Sequence, residues 1–117
     1  MLLPRYYTIT HKQQQSPAEW RYRVTLHEDC DVYRGHFPGN PIAPGVCTIQ
    51  MIKELAADLL QREVRIAAIK QCKFLSPLRP DEQSLVEVRL SSADGQTLSA
   101  DIYANEKLVM KFKSTIL

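Results

Sequence analysis

One stretch of the chain has helical periodicity, and it constrains the fold more than any other feature. From Gly45 to about Arg62, apolar residues recur every three or four positions and form a broad stripe along a predicted helix. That stripe comprises Val46, Ile49, Ile52, Ala56 and Leu59, widened by Leu55 and Leu60. The opposite side carries Gln50, Lys53, Glu54, Asp58 and Gln61. A helix with so wide an apolar side is typical of one that packs against a β-sheet.

Apolar and polar residues alternate on both sides of this helix, as they do in half-buried strands. Before the helix, the pattern predicts a strand from Trp20 to Leu26 and a shorter one from Arg5 to Thr10, separated by a polar loop from Gln13 to Pro17. After the helix, strand-like runs cover Val64 to Leu75, Leu85 to Leu90, Thr97 to Ala104 and Lys107 to Ile116. Asp94-Gly95 and Asn105-Glu106 supply hairpin connections. One helix followed by an antiparallel meander predicts an α+β fold in which the sheet wraps the helix.

Composition narrows the class of protein. The chain has 117 residues, of which 44% are hydrophobic and 24% charged. This length and composition predict one globular domain over residues 1–117. A net charge of +2 is too small to indicate a nucleic-acid partner, and no apolar stretch resembles a signal peptide or a membrane span. We therefore expect a cytoplasmic protein. Cys30, Cys47 and Cys72 lack CxxC spacing, so we expect reduced thiols, no metal site and no cofactor.

The segment Gly35 to Val46 is the most informative for chemistry. Its backbone is restricted by three prolines at positions 38, 41 and 44, and it leads directly into the helix. Such a loop can hold His36 in a fixed place. Gly45 opens the helix, so its N–H is one of the unpaired donors at the positive end of the helix dipole, where the carbonyl oxygen of a thioester would fit.

A histidine beside such a carbonyl can remove the proton from the adjacent carbon, because its pKa lies near working pH and the helix end stabilises the charge that develops. From the residue type alone, His36 fits a structural loop histidine equally well.

The run from Gly35 to Gly45 resembles the signature of the 3-hydroxyacyl-acyl-carrier-protein dehydratases of fatty acid synthesis, which have a hot-dog fold. A second stretch, Lys73 to Asp81, looks like the strand and turn that follow the helix in those proteins. The resemblance implies that His36 is catalytic and that the Gly45 N–H binds the thioester carbonyl. It also implies that the substrate site includes Phe37, Pro44 and Val46.

The chain departs from the family at the acid. The resemblance places a Glu or Asp fourteen residues after the histidine, and this position is Gln50. An amide donates hydrogen bonds but does not exchange a proton at ordinary pH. Glu54 lies one turn later, whereas many dehydratases of this family look reversed, with the acid first and a glutamine four residues later. The exchange could therefore keep a carboxylate in the pocket. On the polar side of a helix, however, a glutamate is more often simply solvated, and Lys53 and Asp58 beside it favour that interpretation.

The leading hypothesis is a dehydratase-like enzyme that converts a 3-hydroxyacyl thioester on acyl carrier protein to a trans-2-enoyl thioester, with catalytic candidates His36, Gln50 and Glu54. The alternative is a non-catalytic acyl-binding protein, or one subunit of a heterodimer whose partner supplies the carboxylate. A third and weaker hypothesis is a thioesterase. The resemblance implies a homodimer or a heterodimer with a second hot-dog protein, because each site of the family is shared by two subunits. It also implies an acidic carrier, for which Lys73 and Arg79 are the candidate contacts.

Overall fold

A computed structural model describes residue 2 and residues 4–33, 42–80 and 85–117. This part of the chain contains one α-helix, six β-strands and a short 3₁₀ helix at Asp31–Tyr33. The helix α1 spans Gly45–Leu60. The strands are β1 (Tyr7–Ser16), β2 (Glu19–Leu26), β3 (Ile66–Phe74), β4 (Val86–Ser91), β5 (Thr97–Ala104) and β6 (Lys107–Ile116). The predicted α+β class is therefore confirmed.

The six strands form one antiparallel sheet in the order β1-β2-β4-β5-β6-β3. Strands β4 to β6 form the predicted meander. The meander interpretation is wrong for β3, which pairs with β6 at the far edge of the sheet and not with β4, the next strand along the chain. The sheet edges are consequently β1 and β3, whose outer backbone groups have no neighbouring strand within the described part of the chain.

Strand β1 is longer than its sequence suggests. The expected loop from Gln13 to Pro17 is wrong, because Gln13 and Gln14 continue the strand and pair with Arg21 and Trp20 of β2. Only Pro17 and Ala18 form the turn. On an edge strand, polar side chains stay in water while their backbone groups still pair, so the glutamines cost little there.

The helix ends confirm the predicted helix to within two residues. Helix α1 begins at Gly45 and ends at Leu60, where Gln61 adopts a left-handed backbone with φ of 55° and donates its N–H to the Ala57 carbonyl. The two predicted hairpin turns are also confirmed. Gly95 has φ of 71°, and Asn105 and Glu106 have φ of 49° and 70°.

The core lies between one side of α1 and the inner face of the sheet. From the helix, Met51, Ile52, Leu55 and Ala56 are fully buried. The sheet contributes Tyr22, Val24, Val88, Leu90, Leu98, Ala100, Ile102, Met110 and Phe112. Within the described residues, no helix combines the length and hydrophobicity needed to cross a membrane.

Candidate functional site

The proposed catalytic loop lies mostly outside the described residues. His36 and Phe37 belong to residues 34–41, so their predicted roles concern positions that the structure does not describe. The described part of the site begins at residue 42. It comprises the end of the loop, the first turn of α1 and the segment that follows β3.

The start of α1 is organised by Pro44. The Pro44 carbonyl accepts hydrogen bonds from the N–H groups of Cys47 and Thr48, each at 3.0 Å, and from the Thr48 hydroxyl at 3.2 Å. Pro44 supplies no side-chain cap. An α-helix leaves its first N–H groups without intrahelical partners, so the N–H of Gly45 is available in principle to an external acceptor.

Gly45 is closely approached by an aromatic ring. A β-carbon at this position would lie 3.0 Å from Cζ of Phe74, which is closer than such contacts normally come. Glycine therefore lets the Phe74 ring cover the first turn of the helix. Phe74 itself is 55% exposed, so its other face remains accessible.

A mainly apolar cavity of about 440 Å³ lies against this first turn. Its walls are Ile42, Ala43, Pro44, Gly45, Thr48, Phe74, Leu75, Ser76, Pro77, Leu78, Val109 and Met110. Its size and chemistry suit an apolar chain that ends at the helix start. Sequence reasoning placed Pro44 and Gly45 here but missed the wall formed by Val109 and Met110, which only the β3–β6 pairing brings beside the helix.

Other predicted site residues do not line this cavity. Val46 was expected on the buried side of the helix, but its side chain is 77% exposed, because nothing in the described chain covers the first turn on that side. Gln50 lies about 140° around the helix from Gly45 and Glu54 about 180°, at 100° per residue. Neither Gln50 nor Glu54 is among the residues that line the cavity, so a single chain does not bring these side chains to the cavity at Gly45.

Glu54 is buried, and the interpretation of a solvated side chain is wrong. Only 9% of the residue is exposed. Its Oε2 accepts hydrogen bonds from the Leu2 N–H at 2.7 Å and from Gln50 Nε2 at 2.9 Å, and its Oε1 accepts one from the Tyr7 hydroxyl at 3.0 Å. The N-terminal segment and β1 cover this side of the helix, which helical periodicity alone does not reveal.

A second carboxylate repeats the arrangement one turn later. Asp58 Oδ2 accepts hydrogen bonds from the Tyr22 hydroxyl at 2.6 Å and from Lys12 Nζ at 3.2 Å. Burial raises the pKa of both tyrosines, and the neighbouring carboxylates raise it further. The hydroxyls of Tyr7 and Tyr22 therefore stay protonated and act as donors. The polar side of the helix thus docks on the sheet through two tyrosine–carboxylate pairs.

Comparison with protein families decides the classification. A family model described as "ApeI-like: ApeI dehydratase" matches residues 11–115. The chain belongs to the ApeI-like family. This result confirms the predicted membership of the hot-dog dehydratases, and it covers nearly the whole chain.

Curated relatives of this ApeI-like chain are named 3-hydroxyacyl-[acyl-carrier-protein] dehydratase FabZ. The protein from Syntrophobacter fumaroxidans is 29% identical over 96 residues, covering 74% of this chain and 64% of its own length. The protein from Legionella pneumophila is 32% identical over 97 residues, covering 73% of this chain and 63% of its own length. The chain thus spans less than two thirds of the length of both relatives. The names of these relatives describe them as dehydratases.

Solved structures confirm the fold of the ApeI-like chain. The structure titled "The Dehydratase Heterocomplex ApeI:P from Xenorhabdus doucetiae" superposes with a TM-score of 0.81 at 24% identity, covering 93% of this chain and 96% of that one. An uncharacterized protein from Erwinia carotovora subsp. atroseptica superposes with a TM-score of 0.75 at 18% identity, covering 95% of each chain. The predicted hot-dog fold is confirmed.

Proposed function

We propose that this ApeI-like protein dehydrates a 3-hydroxyacyl thioester carried on acyl carrier protein, giving a trans-2-enoyl thioester and water. The proposal rests on the mainly apolar cavity of about 440 Å³, which ends at the first turn of α1. Gly45 is the first residue of that helix, and its N–H lies at the helix start. An acyl chain fits the apolar walls, and the thioester carbonyl fits the helix end.

In the proposed reaction, neutral His36 removes a proton from C2 of the acyl group. The electron pair moves toward the thioester carbonyl, whose oxygen accepts the N–H of Gly45. The C3–O bond then breaks, and imidazolium His36 returns its proton to the departing hydroxyl, which leaves as water. We assign the returned proton to His36 because three donors already occupy the Glu54 carboxylate.

The proposed site is shared by two hot-dog chains. Gly45 and Gln50 lie on different sides of α1, so a pocket that uses both needs the Gln50 position of a second chain. Exposed apolar side chains support such a partner near the helix start and along edge strand β3: Val46 is 77% exposed, Phe74 55%, and Ile69 and Leu75 50% each. The partner is a copy of this chain or a second hot-dog protein; the similar Xenorhabdus structure is described as a heterocomplex.

Two basic residues, Lys73 and Arg79, support the proposal that the carrier protein docks beside the cavity. Residues 74–78 line the cavity, and Lys73 and Arg79 lie immediately before and after them. Lys73 is exposed and pairs across β3–β6 with Lys111. Positive side chains next to the lining residues along the chain would complement an acidic carrier protein.

The second candidate is an acyl-binding subunit without catalysis of its own. The amide at position 50 favours it, because no carboxylate occupies the position of the family's acid. A thioesterase is supported less, because the carboxylate it would need to activate water, Glu54, is 9% exposed and hydrogen-bonded within the fold.

One assay separates the three candidates. The purified protein is incubated with 3-hydroxyacyl carrier protein while enoyl formation and free carrier thiol are both measured. A dehydratase forms the enoyl thioester without releasing thiol, and the His36→Ala variant does not. Thiol release by wild type would indicate a thioesterase. Carrier binding without either product, also after addition of a second hot-dog protein, would indicate the non-catalytic subunit.

A further inference from the structure

Gln50 and Glu54 form a hydrogen-bonded pair at the edge of the buried helix side. Gln50 Nε2 lies 2.9 Å from Glu54 Oε2, and the same oxygen accepts the Leu2 N–H at 2.7 Å. The other oxygen, Oε1, accepts the hydroxyl of Tyr7, which is completely buried. Donors from the sheet and from the N-terminal segment therefore fix the position of the Glu54 carboxylate. This carboxylate in turn accepts the hydrogen bond that fixes the Gln50 amide.

This arrangement fixes the orientation of the Gln50 amide. An amide has one accepting end and one donating end, whereas an ionised carboxylate only accepts. The nitrogen of Gln50 must therefore face Glu54. The carbonyl oxygen of Gln50 lies on the other side of the amide, and Gln50 is partly exposed where Glu54 is not.

From this geometry we propose that Glu54 is a positioning residue that turns the Gln50 carbonyl oxygen outward, where it accepts a hydrogen bond from the 3-hydroxyl group of the substrate. The inference rests on the proposed function, because it assumes that a 3-hydroxyacyl thioester reaches Gln50 across the shared site. In the reverse direction, the same oxygen orients the water that adds to the enoyl group.

The neighbouring carboxylate gives a matched control. Asp58 is also bound by a tyrosine of the sheet, Tyr22, but none of its described hydrogen bonds involves Gln50. Glu54→Gln and Asp58→Asn each remove one such charge from the same side of the helix. Only Glu54→Gln removes the group that selects the orientation of the Gln50 amide.

The experiment measures binding, not turnover. The affinities of wild type and the variants Glu54→Gln, Asp58→Asn and Gln50→Ala are measured for two stable thioether analogues of acyl carrier protein, one with a 3-hydroxyl group and one without. A neutral hydrogen bond contributes a preference of roughly two- to twelvefold for the hydroxylated analogue. We expect wild type and Asp58→Asn to show this preference, and Glu54→Gln and Gln50→Ala to lose it.

Each outcome bears on the inference. A preference retained by folded Glu54→Gln overturns the role of Glu54. Should that variant not fold, a preference retained by Gln50→Ala overturns the inference just as directly, because Gln50 is the group said to bind the hydroxyl. Loss of the preference in Asp58→Asn would show that any change on this helix side has the same effect, which also overturns it. If wild type binds neither analogue, the proposed function fails first.

Discussion

Position 50 carries an amide, and Glu54, one helical turn later, carries the carboxylate that accepts its hydrogen bond. Tyr7 and the Leu2 N–H also donate hydrogen bonds to this carboxylate. The identity of this pair is visible in the sequence. The burial of Glu54 is not, because it depends on β1 and the N-terminal segment, which cover a helix side that periodicity marks as polar.

The residue-scale prediction concerns Gln50→Glu. This change sets a second carboxylate against Glu54, across a hydrogen bond that is 2.9 Å long in wild type. Two facing carboxylates share a proton, so one pKa of the folded variant is raised above the value of about 4.3 for an unfolded glutamate. The variant is therefore stable below about pH 4.3, and it loses stability as the pH rises through the raised folded pKa. At pH 7 we expect a loss of about 1–3 kcal/mol.

Urea unfolding at pH 5 and pH 7 measures this effect. The matched control is the double variant Gln50→Glu with Glu54→Gln, which restores one carboxylate and one amide in reversed order and should recover most of the stability at pH 7. Equal stability of the single variant at both pH values would contradict the close pairing of the two side chains.

At the scale of elements, short-range patterns predicted most of the fold. The helix, β2, β5 and β6, and both hairpin turns follow from periodicity and from residues that adopt positive φ. The end of β1 and the position of β3 do not. Gln13 and Gln14 are strand residues because β2 pairs with them, and β3 lies at the sheet edge because it pairs with β6. The cavity wall at Val109 and Met110 depends on that same long-range pairing.

The element-scale prediction concerns the turn between β4 and β5. Asp94 Oδ1 accepts the N–H groups of Gln96 and Thr97 at 2.9 and 2.8 Å, and these hydrogen bonds lower the pKa of Asp94. A lowered folded pKa adds stability above the unfolded value of about 3.9, and this stability is lost as the pH falls through the folded pKa. We therefore expect Asp94→Asn to be less stable than wild type at pH 7, with a difference that shrinks toward pH 2.

Thermal unfolding of wild type and Asp94→Asn across this pH range tests the prediction. Glu63→Gln, at an exposed position outside the turn, is the control for the general loss of one negative charge. A stability difference that stays constant from pH 7 to pH 2 would mean that the charge of Asp94 does not contribute.

At the scale of the whole molecule, the fold leaves edge strand β3 and the apolar residues beside it without a partner among the described residues. We expect light scattering to show a dimer at micromolar concentration. Ile69→Lys places a charge on the 50% exposed position of β3 and should weaken association at least about tenfold. Leu85→Lys, on a similarly exposed residue next to β4, is the control. A monomeric wild type, or equal association of Ile69→Lys, contradicts a β3 interface.

Carrier docking is also a property of the whole molecule. Reversal of charge at Lys73 and Arg79 should weaken carrier binding, by at most about 1 kcal/mol, or roughly fivefold, for each exposed contact. The effect should diminish as salt is added. Arg23→Glu, at an exposed position of β2, controls for the change in net charge that each single reversal makes. If the double reversal leaves the dissociation constant unchanged at low salt, the carrier docks elsewhere.

We propose that His36 transfers a proton to and from C2 of an acyl thioester, and isotope exchange measures this transfer. Wild type and His36→Ala are incubated with trans-2-enoyl carrier protein in D₂O, and the 3-hydroxyacyl product is examined by mass spectrometry. Their thermal unfolding is compared to establish that both are folded. We expect one deuterium at C2 in the wild-type product and none above background with His36→Ala. Deuterium incorporation at the same rate in both proteins would contradict it.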